Sequence, residues 1–241
     1  KAVYQMADAV VGTSDEYRER GLRDARAGIP SETVYVGNQL CEFDAGIAAH
    51  ASKIDKPTGD IWVSYAGTLS ACYDLETLVK AMALVQKTHP EAKLQILGDG
   101  SERDNLKAAA HSYGAEVVFH GYLPYSKMAA WLSKSDITIN SLVEKAAQSI
   151  VTKIGDYLAS GKPMVNTSCS KEFRAKVEAD GFGVNVKPGD VEGMASVLID
   201  LIEDSSRRAQ MGEKARAIAE EQFDRPHSYL KTVRLIEEFI G

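Results

Sequence analysis

Residue types that could act together on a phosphate and a sugar gather between Ser141 and Val165, in SLVEKAAQSIVTKIGDYLASGKPMV. Ser149 or Thr152 is placed to cap a helix whose first turn carries Lys153. A phosphate at that end would meet backbone N–H groups, a hydroxyl and an ammonium together. Asp156 stands one helical turn beyond Lys153. A carboxylate there could accept hydrogen bonds from sugar hydroxyls. The plainer alternative is an exposed i,i+3 ion pair between Lys153 and Asp156, worth only tenths of a kcal/mol.

Two glycine-bearing segments add to this: Gly67-Thr68-Leu69-Ser70 and Gly98-Asp99-Gly100-Ser101. Glycine lets backbone approach a ligand closely, or it simply serves a tight turn that needs φ > 0. Gly98 and Gly100 give G-x-G, but Arg103 stands where a dinucleotide fingerprint needs its third glycine. That argues against an NAD site. Cys41, Cys72 and Cys169 are odd in number and far apart, with no C-x-x-C pair. They suggest neither a disulfide framework nor a zinc site and read as small buried hydrophobes in a reducing compartment.

The elements that would position these residues follow from periodicity. Strands are predicted at Ile61–Ala66, Leu94–Leu97, Val117–His120, Asp136–Asn140, Pro163–Asn166 and Phe182–Val186. Helical spacing of Leu75, Leu78, Val79 and Met82 marks an amphipathic helix closed by His89-Pro90. Ser101 with Asp104 resembles a capping box. Short helices are predicted at Ser126–Leu132, Thr152–Ala159 with Gly161 as C-cap, and Lys171–Ala179. Three more, Val191–Glu203, Arg207–Glu221 and Pro226–Phe239, close the chain. About six strands alternating with helices argue for an α/β fold with a doubly wound parallel sheet. In such sheets ligands bind beyond the carboxyl ends of the strands, where Gly67, Gly98 and the segment after Asn140 fall.

Residues 1–60 fit less well. Ala9–Val11 and Val34–Val36 read as short strands around a helix at Asp15–Arg26, and Ala45–Gly59 as a linker. The chain therefore resembles the tail of one α/β domain followed by a complete second one. It begins at Lys1 rather than Met, which reads as a fragment or excised domain. The 241 residues carry 28 Lys+Arg against 34 Asp+Glu, a net charge of −6, with 44% hydrophobic and 26% charged residues. That composition excludes intrinsic disorder, and the acidity argues against a nucleic-acid binder. No apolar run approaches the ~20 residues of a membrane span. No secretory signal is visible.

The ordered series ADAVVGTS (7–14), VYVGN (34–38), YAGTLSACYDLETLVKAM (65–82), LQILGDGSERDNL (94–106), VVFHGYLPYSKMAAWLSKSDITIN (117–140) and KIGDYLASGKPMV (153–165) resembles a known family. It is similar to the C-terminal half of GT-B retaining glycosyltransferases, family four or group 1, of the type that builds bacterial surface polysaccharides. The resemblance implies a Rossmann-like domain at 61–225 that binds a nucleotide sugar. Around it would lie the tail of an acceptor-side domain at 1–40, a linker at 41–60 and a crossover helix at 226–241. Leu230, Val233 and Ile236 of that helix would seek a surface on the first domain.

The family's two-glutamate signature ends five residues before the glycine of its A-x-G-x-P turn. That position is Asp156, which the resemblance makes the ribose-binding carboxylate. The earlier glutamate falls on Gln148, with Glu144 nearby but out of register. The cations that the family carries after its first strand fall on Thr68 and Tyr73, which leaves Lys153 to neutralise the diphosphate. His120, Gly121, Tyr122 and Leu123 resemble the loop under the donor base, and Gly98 to Gly100 the loop under the nucleotide. Catalysis would thus rest on Lys153 and Asp156. Substrate binding would rest on Gly67, Thr68, Gly98, Gly100, His120, Gly121, Tyr122, Leu123, Gln148, Ser149 and Thr152.

The implied reaction is hexosyl or N-acetylhexosaminyl transfer with retention, without a metal or resident cofactor. The absence of a D-x-D motif agrees. The donor would be a UDP-sugar ahead of a GDP-sugar, and the acceptor a saccharide or lipid-linked glycan held by the other domain. The enzyme would be cytoplasmic, peripheral at the inner face of the membrane, and this chain alone would not turn over. A nucleotide-sugar epimerase of the same architecture and a non-catalytic partner subunit are the alternatives. Donor sugar, base and acceptor are not readable from these residues.

Overall fold

The computed structural model describes residues 2–146 and 150–240. A small N-terminal unit comes first: α1 (Ala2–Gln5), β1 (Val10–Gly12), α2 (Asp15–Asp24) and β2 (Ser31–Thr33), with β1 and β2 paired in parallel. Ser14 caps α2 by accepting the Tyr17 N–H at 3.1 Å. α3 (Leu40–His50) and a 3-10 turn lead into the main sheet.

The main sheet alternates regularly: β3 (Ile61–Ala66), α4 (Leu75–Val85), β4 (Ala92–Leu97), α5 (Arg103–Tyr113), β5 (Val117–Gly121), α6 (Tyr125–Lys134), β6 (Ile137–Asn140), α7 (Ile154–Ala159), β7 (Met164–Asn166), α8 (Lys171–Asp180) and β8 (Gly183–Asn185). The chain closes with α9 (Val191–Glu203), α10 (Ser205–Ile218), a π turn at Ala219–Phe223, α11 (Arg225–Ser228) and α12 (Leu230–Ile240). All six main strands are parallel, in the order β5-β4-β3-β6-β7-β8. Strand order therefore reverses between β3 and β6, which opens a crevice at their carboxyl ends.

The sheet is covered on both faces. Val63, Tyr65, Leu94 and Ile139 pack with Leu78 and Met82 of α4 and Leu198 and Leu201 of α9. Ala66, Leu97 and Met164 pack on the other face with Phe43, Ala129, Tyr157, Phe173 and Ala215. Burial on both faces explains why β3 reads as a continuous apolar run rather than an alternation.

Several expectations are corrected. The second strand lies at 31–33, not 34–36: β1 ends at Gly12, and Val34 keeps one hydrogen bond to the Gly12 carbonyl (2.9 Å) before the chain departs. The first part of the stretch expected as a linker, residues 45–50, belongs to α3. Leu40, Phe43 and Gly46 are buried in it, at three-residue spacing that the small and polar composition hid. A Cβ on Gly46 would stand 2.7 Å from the Ser126 carbonyl oxygen, so α3 lies directly on α6.

Ser101 does not cap α5. That helix starts at Arg103, because the Glu102 N–H is committed to the Leu69 carbonyl at 3.0 Å. Thr152 does not cap α7, whose cap is Lys153 after a turn in which Ile154 N–H bonds Val151 O at 3.1 Å. The closing helix is interrupted at Tyr229, giving α11 and α12. On α12, Leu230, Val233, Ile236 and Phe239 are exposed. Cys41, Cys72 and Cys169 are exposed, not buried. Cys41 faces outward on α3, and the other two lie in loops.

Candidate functional site

A cavity of about 590 Å³ opens at the carboxyl ends of β3 and β4. Its floor is backbone. Gly67, directly after β3, and Gly98, directly after β4, both have φ of +147°. A Cβ on Gly98 would stand 1.9 Å from the Gly67 carbonyl oxygen, and one on Gly67 would stand 2.8 Å from Lys153 Nζ. Only glycine permits both the dihedral angle and the approach. Thr68 and Leu97 complete this side.

Lys153 enters from the turn before α7. Its Nζ donates to Tyr65 Oη at 2.9 Å, and that hydroxyl in turn donates to the Thr68 carbonyl at 2.8 Å. The ammonium lies 4.3 Å from the Tyr65 ring centroid and 3.6 Å from that of Tyr73. Among the described residues no carboxylate pairs with it. Burial without a counter-charge pushes its pKa down to about 7. The exposed Lys153–Asp156 pair considered above is therefore not formed.

Asp156, at the third residue of α7, lines the same cavity on another side. Its Oδ1 accepts hydrogen bonds from Asn38 Nδ2 and Tyr125 Oη, both at 2.9 Å. Burial raises the Asp156 pKa, against the opposing pull of those two donors and of the nearby Arg225 guanidinium. Burial also raises the Tyr125 pKa, with Asp156 adding to it. Tyr157 ties α7 to the sheet: its hydroxyl accepts the Ala66 N–H at 2.9 Å and donates to the Ala66 carbonyl at 3.0 Å. Lys153 and Asp156 thus line one cavity while bonding different partners.

Tyr122, Leu123 and Thr152 also line the cavity, with Tyr122 80% exposed. Three expected residues do not. His120 turns away, its Nε2 2.7 Å from Gln95 Oε1 and its ring 4.0 Å from that of Trp131. Gly121 supports the floor through its carbonyl, which accepts the Gly98 N–H at 2.8 Å. Gly100 fits beneath Leu69, whose carbonyl oxygen would be 2.2 Å from a Cβ there. Gln148 and Ser149 lie outside the described residues.

The sequence reading missed Asn38, Tyr125 and Arg225. Asn38 is held by Phe223 and Arg225: its N–H bonds Phe223 O and its carbonyl accepts Arg225 N–H, each at 2.9 Å. Arg225 Nε donates to the Gly37 carbonyl at 2.9 Å. Asn38 and Arg225 come from opposite ends of the chain, and Tyr125 opens α6 in its middle. The available signals were two of the quoted strings, VYVGN, whose last residue is Asn38, and VVFHGYLPYSKMAAWLSKSDITIN, which holds Tyr125. Among the described residues no cluster of His, Cys, Asp and Glu could hold a metal ion, and no helix is long and apolar enough to cross a membrane.

The fold matches C-terminal domains of GT-B glycosyltransferases. The crystal structure of Anabaena Alr3699/HepE with UDP superposes with a TM-score of 0.81 at 19% identity, over 98% of this chain and 65% of that one. A GDP-mannose-dependent phosphatidylinositol monomannoside mannosyltransferase of Corynebacterium glutamicum is 29% identical over 152 residues, 61% of this chain and 39% of the relative. The lipopolysaccharide core glycosyltransferase LpsE of Rhizobium meliloti is 27% identical over 182 residues, 74% of this chain and 50% of the relative. The chain thus spans half or less of these two curated relatives. The family model described as glycosyl transferases group 1 matches residues 47–218, and the chain belongs to that family.

Proposed function

We propose that this chain is the donor-binding part of a retaining glycosyltransferase that moves a sugar from a nucleotide sugar to a saccharide or lipid-linked acceptor. The observation that carries this reading is an unpaired ammonium and a hydrogen-bonded carboxylate facing one glycine-floored cavity at the strand-order switch. Lys153 takes the diphosphate and Asp156 the ribose hydroxyls. Tyr122 and Leu123 take the base, with a UDP-sugar as the favoured donor. The UDP bound to the Anabaena structure supports that choice.

In this reading negative charge builds on the leaving diphosphate oxygen as the glycosidic C–O bond breaks. Lys153 offsets that charge in a site partly shielded from water, where such stabilisation is worth most. The same phosphate oxygen takes the proton that the acceptor hydroxyl gives up, on the face the new bond forms. Transfer itself needs the acceptor side of the whole protein, so this chain binds donor without turning it over. The phosphatidylinositol monomannoside named for the Corynebacterium relative supports an enzyme working at a membrane surface.

A thermal-shift screen of UDP, GDP, dTDP and their sugars tests the reading. A ligand at a hundredfold its Kd stabilises by about 2.7 kcal/mol, several degrees in Tm. One nucleoside diphosphate should stand out. A flat response to all of them refutes the donor-site assignment.

A further inference from the structure

Two tyrosine rings surround the Lys153 ammonium. Its Nζ lies 3.6 Å from the Tyr73 centroid, over that ring, and 4.3 Å from the Tyr65 centroid, on the side of the hydroxyl that it bonds. The two rings meet edge to face at 5.8 Å. Aromatic faces attract a cation through their quadrupoles but carry no net charge, so they hold an ammonium without neutralising it. Among the described residues the hydrogen bond that Nζ makes, to Tyr65 Oη, is also to a neutral group. An ammonium has three N–H donors, so two remain for a ligand over Gly67.

Among the described residues, none of the other ionisable groups around this amine forms an ion pair with it. From the loop after β4, Asp99 pairs with Arg103 at 3.0 Å. From the loop after β3, Asp74 accepts the Gly189 N–H at 2.8 Å, and Cys72 adjoins Tyr73. On α7, Asp156 is bound by Asn38 and Tyr125, and the Tyr157 phenol has its pKa raised by burial. Glu42 of α3 and Arg225 of α11 line the cavity without pairing with Lys153.

We propose that Tyr65 and Tyr73 are positioning residues that cage Lys153 away from any carboxylate, so that a donor's diphosphate meets an amine that takes up a proton as it binds. This rests on reading the cavity as a nucleotide-sugar site. The proton passes from solvent to the Nζ lone pair, and no covalent bond to the ligand forms. The geometry supplies an enclosed amine with no counter-ion, and the pKa of about 7 in the empty cavity fits that enclosure. The incoming phosphate charge restores the ordinary preference for the protonated form.

Titration calorimetry of UDP and of uridine at pH 8, in two buffers of different protonation enthalpy, reads proton uptake directly. At that pH a terminal phosphate with a pKa of about 6 is fully ionised, and an amine of pKa about 7 is about nine-tenths neutral. The wild-type chain should take up close to one proton per UDP and none with uridine. Tyr73→Phe should keep that uptake. Tyr73→Leu, which keeps the apolar wall, should keep it too, whereas Tyr73→Ser, which opens the amine to water, should cut it by more than half, and Tyr73→Ala replaces it should circular dichroism show Tyr73→Ser unfolded. No uptake by the wild-type chain, or equal uptake by the wild-type and Tyr73→Ser chains, overturns the cage. Failure of the wild-type chain to bind UDP or any nucleoside diphosphate overturns the nucleotide site instead. Unchanged UDP affinity in Lys153→Ala removes Lys153 from that site.

Discussion

The two ends of the main sheet each hold a lysine and an aspartate, and they use them differently. At the amino end, Lys56 and Asp136 form an ion pair, each with about a fifth of its side chain exposed. Asp136 also accepts the Trp62 N–H at 2.6 Å, and Lys56 donates to the Lys134 carbonyl at 3.0 Å. Trp62 stacks on Trp131 at 5.1 Å and closes the cluster. At the carboxyl end, among the described residues, Lys153 meets a hydroxyl and two rings, while Asp156 bonds an amide and a phenol with the Arg225 guanidinium nearby. Charges that satisfy one another hold strands in register. Charges held by neutral partners keep their field for something that is not part of the chain.

The largest expected effect breaks the closed end. Asp136→Ala leaves Lys56 without its counter-ion and the Trp62 N–H without an acceptor. Unfolding by urea should show a loss of about 3–5 kcal/mol, with nucleotide affinity of the folded protein unchanged. A loss under 1 kcal/mol would mean that this pair is no more structural than a surface bridge.

The open end should respond in the opposite sense. Lys153→Met removes a buried ammonium that nothing neutralises and should stabilise the empty protein by about 2 kcal/mol at pH 6. The pH dependence has a definite sign. The folded pKa is about 7 and the unfolded one is 10.5. Below about 7 both states hold the proton and the folded state bears the full cost of burying it. Between 7 and 10.5 only the unfolded chain holds it, so the cost fades as pH rises. The gain in Tm from Lys153→Met should therefore shrink steadily from pH 7 to pH 10. A gain that grows with pH contradicts the assignment.

Asp156→Ala sharpens the contrast further. It should weaken UDP and uridine alike, each by about 1.5–3 kcal/mol, since both carry the ribose. Titration calorimetry checks this, and weakening of UDP alone would move Asp156 to the phosphate.

The sheet was legible because each of its six strands is a short apolar run followed by a glycine or polar break, and parallel strands buried on both faces must look so. The cavity floor was legible for the same reason: Gly67 and Gly98 stand immediately after strands β3 and β4. The walls were not. α3 was hidden because its buried face is built from Leu40, Phe43 and Gly46, and a glycine at a helix crossing reads as a breaker. Asn38 and Arg225 meet only because the chain returns to its beginning, and no spacing along the sequence records that. His120 and Gly121 sit beside cavity residues in sequence, but alternation along β5 points the histidine to Gln95 and Trp131 instead.

The central claim is that Lys153 holds the diphosphate of a nucleotide donor at the open end of the sheet. A paired titration of UDP and uridine against the wild-type and Lys153→Ala chains at pH 7 tests it most directly. Lys153→Ala should cost UDP about 1.5–3 kcal/mol, roughly ten- to a hundredfold in Kd, and leave uridine affinity unchanged. Equal UDP affinity in the two folded chains would contradict the claim and return Lys153 to the status of a buried structural lysine.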